Sequence, residues 1–127
     1  MNQKLLSWFE IPVIHMDRAV KFYESVLGIS FEVKDFGALK MAMFPTAENV
    51  HGVPGALICN EKFYTPFDRG ILLYFSSPGG DLNIDMKTVE ISGGKILIPR
   101  RQVSESFGFM FVFLDSEGNR MAMHSRT

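Results

Sequence analysis

The sequence is poor in cysteine, poor in tryptophan and without an excess of charge of either sign. Its 127 residues hold one Cys, one Trp, and 13 Lys and Arg against 14 Asp and Glu. A lone cysteine, Cys59, excludes an intrachain disulfide framework and fits a reducing compartment, so a cytoplasmic location is expected. A formal net charge of −1 gives no basic footprint for a phosphate backbone, which argues against nucleic acid as a partner. No stretch approaches the ~20 apolar residues that a membrane span needs. The opening MNQKLLSWFEIP also lacks the apolar core and small-residue cleavage site of a secretory leader. No membrane partner is expected.

What is abundant is apolar. Hydrophobic residues make up 46% of the chain and charged ones 21%, with twelve Phe and eight Met. That balance is globular, and the length suits one domain with a real core. Phe and Met serve chiefly to fill that core, though Met also lines adaptable apolar pockets.

Turn residues and apolar spacing divide the chain into elements. SWFEIPV at 7–13 reads as a strand, stopped near Pro12. HMDRAVKFYESVLG reads as a helix with Asp17 at its N-cap, apolar Val20, Tyr23 and Leu27 at helical spacing, and Gly28 as its stop. ISFEVKDFG and LKMAMFP alternate as strands do, TAENVHGVPG is a loop, and ALICN is a short strand. A second pass starts at Gly70: GILLYFSS, a helix with Asp81 at its N-cap ended by Gly93–Gly94, then KILIP, GFMFVFLD and NRMAMHS. The order is strand, helix and three strands, twice, which is an internal repeat. The first copy falls at about 5–60 and the second at about 70–125.

Two stretches echo each other across the halves, KMAMFP at 40–45 and RMAMHS at 120–125. The helix-ending glycines show that they are not equivalent. Met121 lies 27 positions after Gly94, and 27 positions after Gly28 falls Gly55. RMAMHS therefore corresponds to GALICN, and both Met-Ala-Met triplets are expected to turn methionine toward a helix and alanine away.

In this register EIPVIHMDRAVKFYESVLG at 10–28, VEISGGKIL at 89–97 and FLDSEGNRMAMHS at 113–125 resemble the vicinal oxygen chelate superfamily. That superfamily includes glyoxalase I, extradiol dioxygenases and the bleomycin- and fosfomycin-resistance proteins. The Arg-Ala-x-x-Phe-Tyr run, the Leu-Gly stop and the Asp-x-x-Gly-Asn turn carry the resemblance, which is greatest to the small bacterial glyoxalase-like branch. It implies an α+β fold of two tandem βαβββ modules with a curved mixed sheet forming a cup, often as a homodimer that can exchange halves.

The resemblance also implies where a divalent metal would be held, because metal-using members place His, Glu or Gln on the first and fourth strands of each module. The first position, twenty residues before Gly28, is Trp8. Its counterpart is Leu72, or Tyr74 if the SPGG turn carries no insertion. The final one, four residues after Gly118, is Ala122, and the remaining one falls near Leu57–Ile58. None is a good ligand, so no cofactor and no metal is expected at the shared site. A displaced metal held by Glu10 and His124 is the alternative, since alternation puts Glu10 on the face of Trp8, and Arg120 and His124 on the face of Ala122.

The expected function is then metal-independent binding of a small organic molecule in an aromatic pocket of Trp8, Glu10, Leu72, Tyr74, Arg120, Ala122 and His124. Ala122 would leave space there, Trp8 and Tyr74 would stack a planar or cationic guest, and Glu10 would pair with a positive group. Trp8 and Leu72 filling the cup completely is the competing outcome. A glyoxalase-like lyase or isomerase with Glu10 as general base is the alternative activity. The remaining candidates have plainer readings: His15 as a loop histidine near the helix cap, His51 as an exposed loop residue, Cys59 as a small buried side chain, and Arg100–Arg101 as a solvated strand end. Phe63 and Phe67 are expected to be exposed, covering a cup mouth or an interface.

Overall fold

The computed structural model describes residues 5–46 and 52–127; His51 lies outside them. The elements run β1 (Phe9–Pro12), α1 (Met16–Leu27), β2 (Glu32–Asp35), β3 (Lys40–Met43), β4 (Gly55–Cys59), β5 (Tyr74–Ser76), α2 (Leu82–Ile91), β6 (Lys95–Ser104), β7 (Gly108–Leu114) and β8 (Arg120–Ser125). They form two four-stranded mixed sheets in the orders β1-β4-β3-β2 and β5-β8-β7-β6. In each, the first and fourth strands pair in parallel and the other pairs are antiparallel. This is the α+β fold of two βαβββ modules.

Helix α1 buries Met16, Ala19, Phe22, Tyr23 and Val26, a stripe at three- and four-residue spacing. Val20 and Leu27 pack at its margin. Its N-cap is His15, not Asp17, which falls in the first turn instead. The His15 ring nitrogen Nδ1 accepts from Arg18 N at 3.4 Å. Gly28 closes the helix in the left-handed region at φ 66, its N–H donating to Glu24 O. Asp81 caps α2 as expected, accepting from Asn83 N and Ile84 N. Strand β6 runs well past KILIP. It continues through Arg100 and Arg101, with register shifts around Pro99, because a residue with no N–H is accommodated at a bulge. Arg100 stacks on the Phe109 ring at 4.0 Å.

One apolar core serves both modules. The inner faces of the sheets supply Ile11, Ala42, Leu57, Phe111, Phe113, Met121 and Met123, packed with the buried stripes of both helices. The rings interlock across the modules, with Phe22 on Phe113 at 6.2 Å, Tyr23 on Phe75 at 5.8 Å and Phe44 on Phe75 at 6.2 Å. Burial of each large apolar side chain contributes about 1.5–3 kcal/mol, and this shared core is where most of it is spent.

The Met-Ala-Met expectation holds for one triplet and fails for the other. Met121 and Met123 do face the shared core. In KMAMFP it is Ala42 that faces the core, fully buried, while Met41 and Met43 lie half-buried on the opposite face. Pairing forces this, because Ala42 sits opposite Leu57, and directly paired residues share a face.

A polar clasp completes the joint between modules. From the turn after β7, Glu117 accepts from Ile14 N at 2.9 Å, His15 N at 2.7 Å, Arg18 Nε at 2.7 Å and Ser116 Oγ at 2.9 Å. Asn119 Nδ2 donates to Pro12 O at 2.7 Å. The Tyr23 hydroxyl donates to Asp115 Oδ2 at 2.5 Å, fully buried. The Asp-Ser-Glu-Gly-Asn turn of the second module thus holds β1 and the start of α1 in the first.

Candidate functional site

The residues expected to form the site all lie on the outer faces of the sheets, turned away from the shared core. Strand pairing settles their correspondence. Glu10 pairs with Ala56 across β1 and β4, and Tyr74 pairs with Ala122 across β5 and β8. With Gly55 equivalent to Met121, Ala56 is the counterpart of Ala122, so Glu10 matches Tyr74 and Trp8 matches Leu72. The fourth-strand position assigned to Leu57–Ile58 is therefore Ala56, and Leu57 points into the core.

On the first module's outer face, Glu10 is held from both sides. Trp8 Nε1 donates to Glu10 Oε2 at 3.3 Å, and the Tyr64 hydroxyl donates to Glu10 Oε1 at 2.6 Å. Tyr64 comes from the segment between β4 and β5 and was not foreseen from sequence; EKFYTPF at 61–67 shows only that aromatics are there. Its hydrogen bond to the Glu10 carboxylate, then its partial burial and the negative charge of Glu10, hold the phenol above its ordinary pKa. A recess of about 360 Å³ adjoins Trp8 and runs past Met43, Glu32 and Lys34, with neither Glu10 nor Tyr64 in its lining.

The second module's outer face is closed. Ala122 is fully buried with Met110 and Val112, and Leu72 and Ile98 pack against them. The alanine leaves no opening here, because neighbouring aliphatic side chains occupy the volume. His124 is half-buried and its Nε2 is hydrogen-bonded to Phe107 O. Arg120 donates from Nη2 to Gly70 O at 2.8 Å, and its Nε is buried with no hydrogen-bond partner. Tyr74 is half-exposed at 53%. Phe63 and Phe67 are exposed as expected, and Cys59 is half-buried with Sγ toward Ile14 O at 3.6 Å.

The structure thus brings Trp8 and Glu10 together, and separately Leu72, Arg120, Ala122 and His124. It does not merge the two groups within one chain, since β1 runs beside neither β5 nor β8. A divalent metal needs several convergent N or O donors. Among the described residues no three His, Cys, Asp or Glu side chains cluster. Glu10 is engaged by Trp8 and Tyr64 while His124 is engaged by Phe107, on different modules, so these residues do not fit a metal.

The overall topology and dimensions match known structures closely. A glyoxalase-related enzyme from Fulvimarina pelagi superimposes with a TM-score of 0.74 at 11% identity, covering 97% of this chain and 88% of that one. The fosfomycin resistance protein FosX from Listeria monocytogenes gives 0.70 at 14% identity, covering 100% and 94%. Glyoxalase I from Zea mays gives 0.71 at 20% identity, covering 95% of this chain and 46% of that one. This chain has the vicinal oxygen chelate fold. It spans about half the length of the Zea mays enzyme. No family model and no curated sequence matches it. The vicinal oxygen chelate fold accounts for the paired modules and the outer faces; the chemistry on those faces is this chain's own.

Proposed function

We propose that the protein binds a small organic molecule without a metal, on the outer face built around Glu10. The observation that carries this is the Glu10 carboxylate fixed between the Trp8 indole and the Tyr64 hydroxyl. The resemblance would place metal donors at Trp8, Leu72, Ala56 and Ala122, and none of these is a donor. A carboxylate set against an indole suits a flat cationic guest, with the charge on Glu10 and the ring on Trp8. The protein acts as a homodimer in the cytoplasm in this reading, because the Glu10 face and the Tyr74 face belong to separate modules and a second copy can set one against the other.

Trp8 is the only tryptophan, so its fluorescence reports directly on the site. Titration with aromatic amines and guanidines should quench it saturably in the wild type, and Glu10→Gln should weaken binding by about tenfold or more, the worth of a desolvated charge pair. Protein purified without chelator should hold no stoichiometric Ni, Zn, Mn or Fe. Metal at one equivalent, lost on Glu10→Ala or His124→Ala, would overturn the reading. The second reading, a glyoxalase-like lyase or isomerase with Glu10 as general base, is favoured by the same Glu10–Tyr64 hydrogen bond, which offers a path for a proton. Turnover of an α-hydroxy carbonyl substrate, abolished by Glu10→Gln, would select it.

A further inference from the structure

A second cavity, larger than the recess beside Trp8, is lined by neither Glu10 nor Tyr64. Its volume is about 630 Å³, and it opens between the loop end of the first module and strand β5 of the second. Phe9, Phe44 and Phe75 form its aromatic wall, with Leu27 and Ile29 beside them. Phe9 and Glu10 are consecutive in β1 and point to opposite faces, so Glu10 does not line this cavity, which adjoins the recess beside Trp8 at Phe44, Pro45 and Thr46. Among the described residues, no side chain lining this cavity is charged.

Strand β5 adds a polar edge to these apolar walls. It is the outermost strand of its sheet. Its ladder with β8 uses Leu73 O, which accepts from Ala122 N at 2.9 Å, and Ser77 N, which donates to His124 O at 2.8 Å. Backbone groups alternate in direction along a strand. Those of Tyr74 and Ser76 therefore point to the open edge, and both residues line the cavity.

We propose that this cavity binds a neutral, mostly apolar small molecule carrying one hydrogen-bonding group such as an amide, carbonyl or arylamine. The apolar body lies on the Phe9, Phe44 and Phe75 rings, and the polar group meets the backbone of Tyr74 or Ser76. The volume falls in the range of drug-sized sites, roughly 300–1,000 Å³. A charged guest is disfavoured, because it would lose its hydration with no opposite charge among the described lining residues to replace it.

The test uses two fluorophores that share a ring system, neutral N-phenylnaphthylamine and its sulfonate, anilinonaphthalenesulfonate. The neutral compound should bind once per chain, about tenfold or more tighter than the sulfonate. Ile29→Glu and Thr46→Glu each place a carboxylate at the cavity and should weaken the neutral probe by about tenfold. Thr46 is exposed, so its substitution leaves folding intact. Glu10→Gln should leave the neutral probe unaffected, which separates this site from the Glu10 face. Equal affinity for both probes, or loss on Glu10→Gln with retention in Ile29→Glu, would overturn the proposal, Ile29 lining this cavity and not the recess beside Trp8. So would a dimer that excludes the probe, since a second copy would then be the occupant.

Discussion

Glu117, on the turn between β7 and β8, accepts the backbone N–H of His15 at 2.7 Å. A carboxylate of the second module thereby holds the backbone that enters the first module's helix. Its side chain is fully buried, while its ion-pair partner Arg18 is half-exposed, so the two sides of the pair contribute unequally. Glu117→Ala should cost about 1–3 kcal/mol, because it removes the acceptor shared by the Ile14 and His15 N–H groups. Arg18→Ala should cost less than about 1 kcal/mol. Urea denaturation of both variants checks the asymmetry.

The clasp also predicts a pH signature. Burial alone would push the Glu117 carboxyl up, but hydrogen bonds from Arg18, His15, Ser116 and Ile14 outweigh it and hold the pKa below its ordinary value. A depressed folded pKa means stability that is present above the unfolded pKa and lost as pH falls through the folded one. Asp115 has the opposite sign. Burial raises it against the hydrogen bonds from Tyr23, Asn119 and Glu117, so its contribution is present below the unfolded pKa and lost as pH rises through the folded one. Glu117→Gln should therefore flatten the acid-side loss of stability, and Asp115→Asn should steepen it. Denaturation midpoints measured from neutral pH into the acid range decide this; parallel profiles for the two variants would contradict it.

Tyr23 and Asp115 join the modules deep in the core. Tyr23→Phe should cost about 1–2 kcal/mol by removing one of the hydrogen bonds that compensate a buried carboxylate. The loss should grow as pH rises, since only the ionised form of Asp115 needs that donor. A stability difference between wild type and variant that stays constant with pH would contradict this.

Gly94 is required by its neighbours. A Cβ there would stand 2.6 Å from Leu114 O, 2.7 Å from Val89 Cγ1 and 2.9 Å from Phe22 Cε1. Because the first contact is backbone, it has little room to yield. Gly94→Ala should destabilise by about 1–3 kcal/mol, read as a lower urea midpoint at unchanged slope.

Ala122→Glu places a carboxylate where the resemblance puts a metal ligand. With Ala122 fully buried and Leu72, Met110, Val112 and Ile98 around it, the charge should cost about 3 kcal/mol or more. Added Ni or Zn should not restore the lost thermal stability. Restoration by one equivalent of metal would show a donor set that the described residues do not contain.

The sequence by itself determined the architecture. Gly28 and Gly94 fixed the repeat register, Asp81 and Gly28 marked helix ends, and strand alternation separated Glu10 from Phe9. These are local rules of backbone geometry, readable one element at a time. Asp17 and His15 mark their limit, because the backbone entering α1 is set by Glu117, about a hundred residues away in sequence. Only the tertiary structure decided which way each Met-Ala-Met triplet faces. The two share a pattern, but Ala42 is opposite Leu57 and Ala122 is opposite Tyr74, and a face is chosen by pairing rather than by composition. It also decided that Ala122 is covered and that Tyr64 reaches Glu10. Whether a small residue leaves a hole depends on volumes brought in by other strands, and no spacing in the chain encodes them.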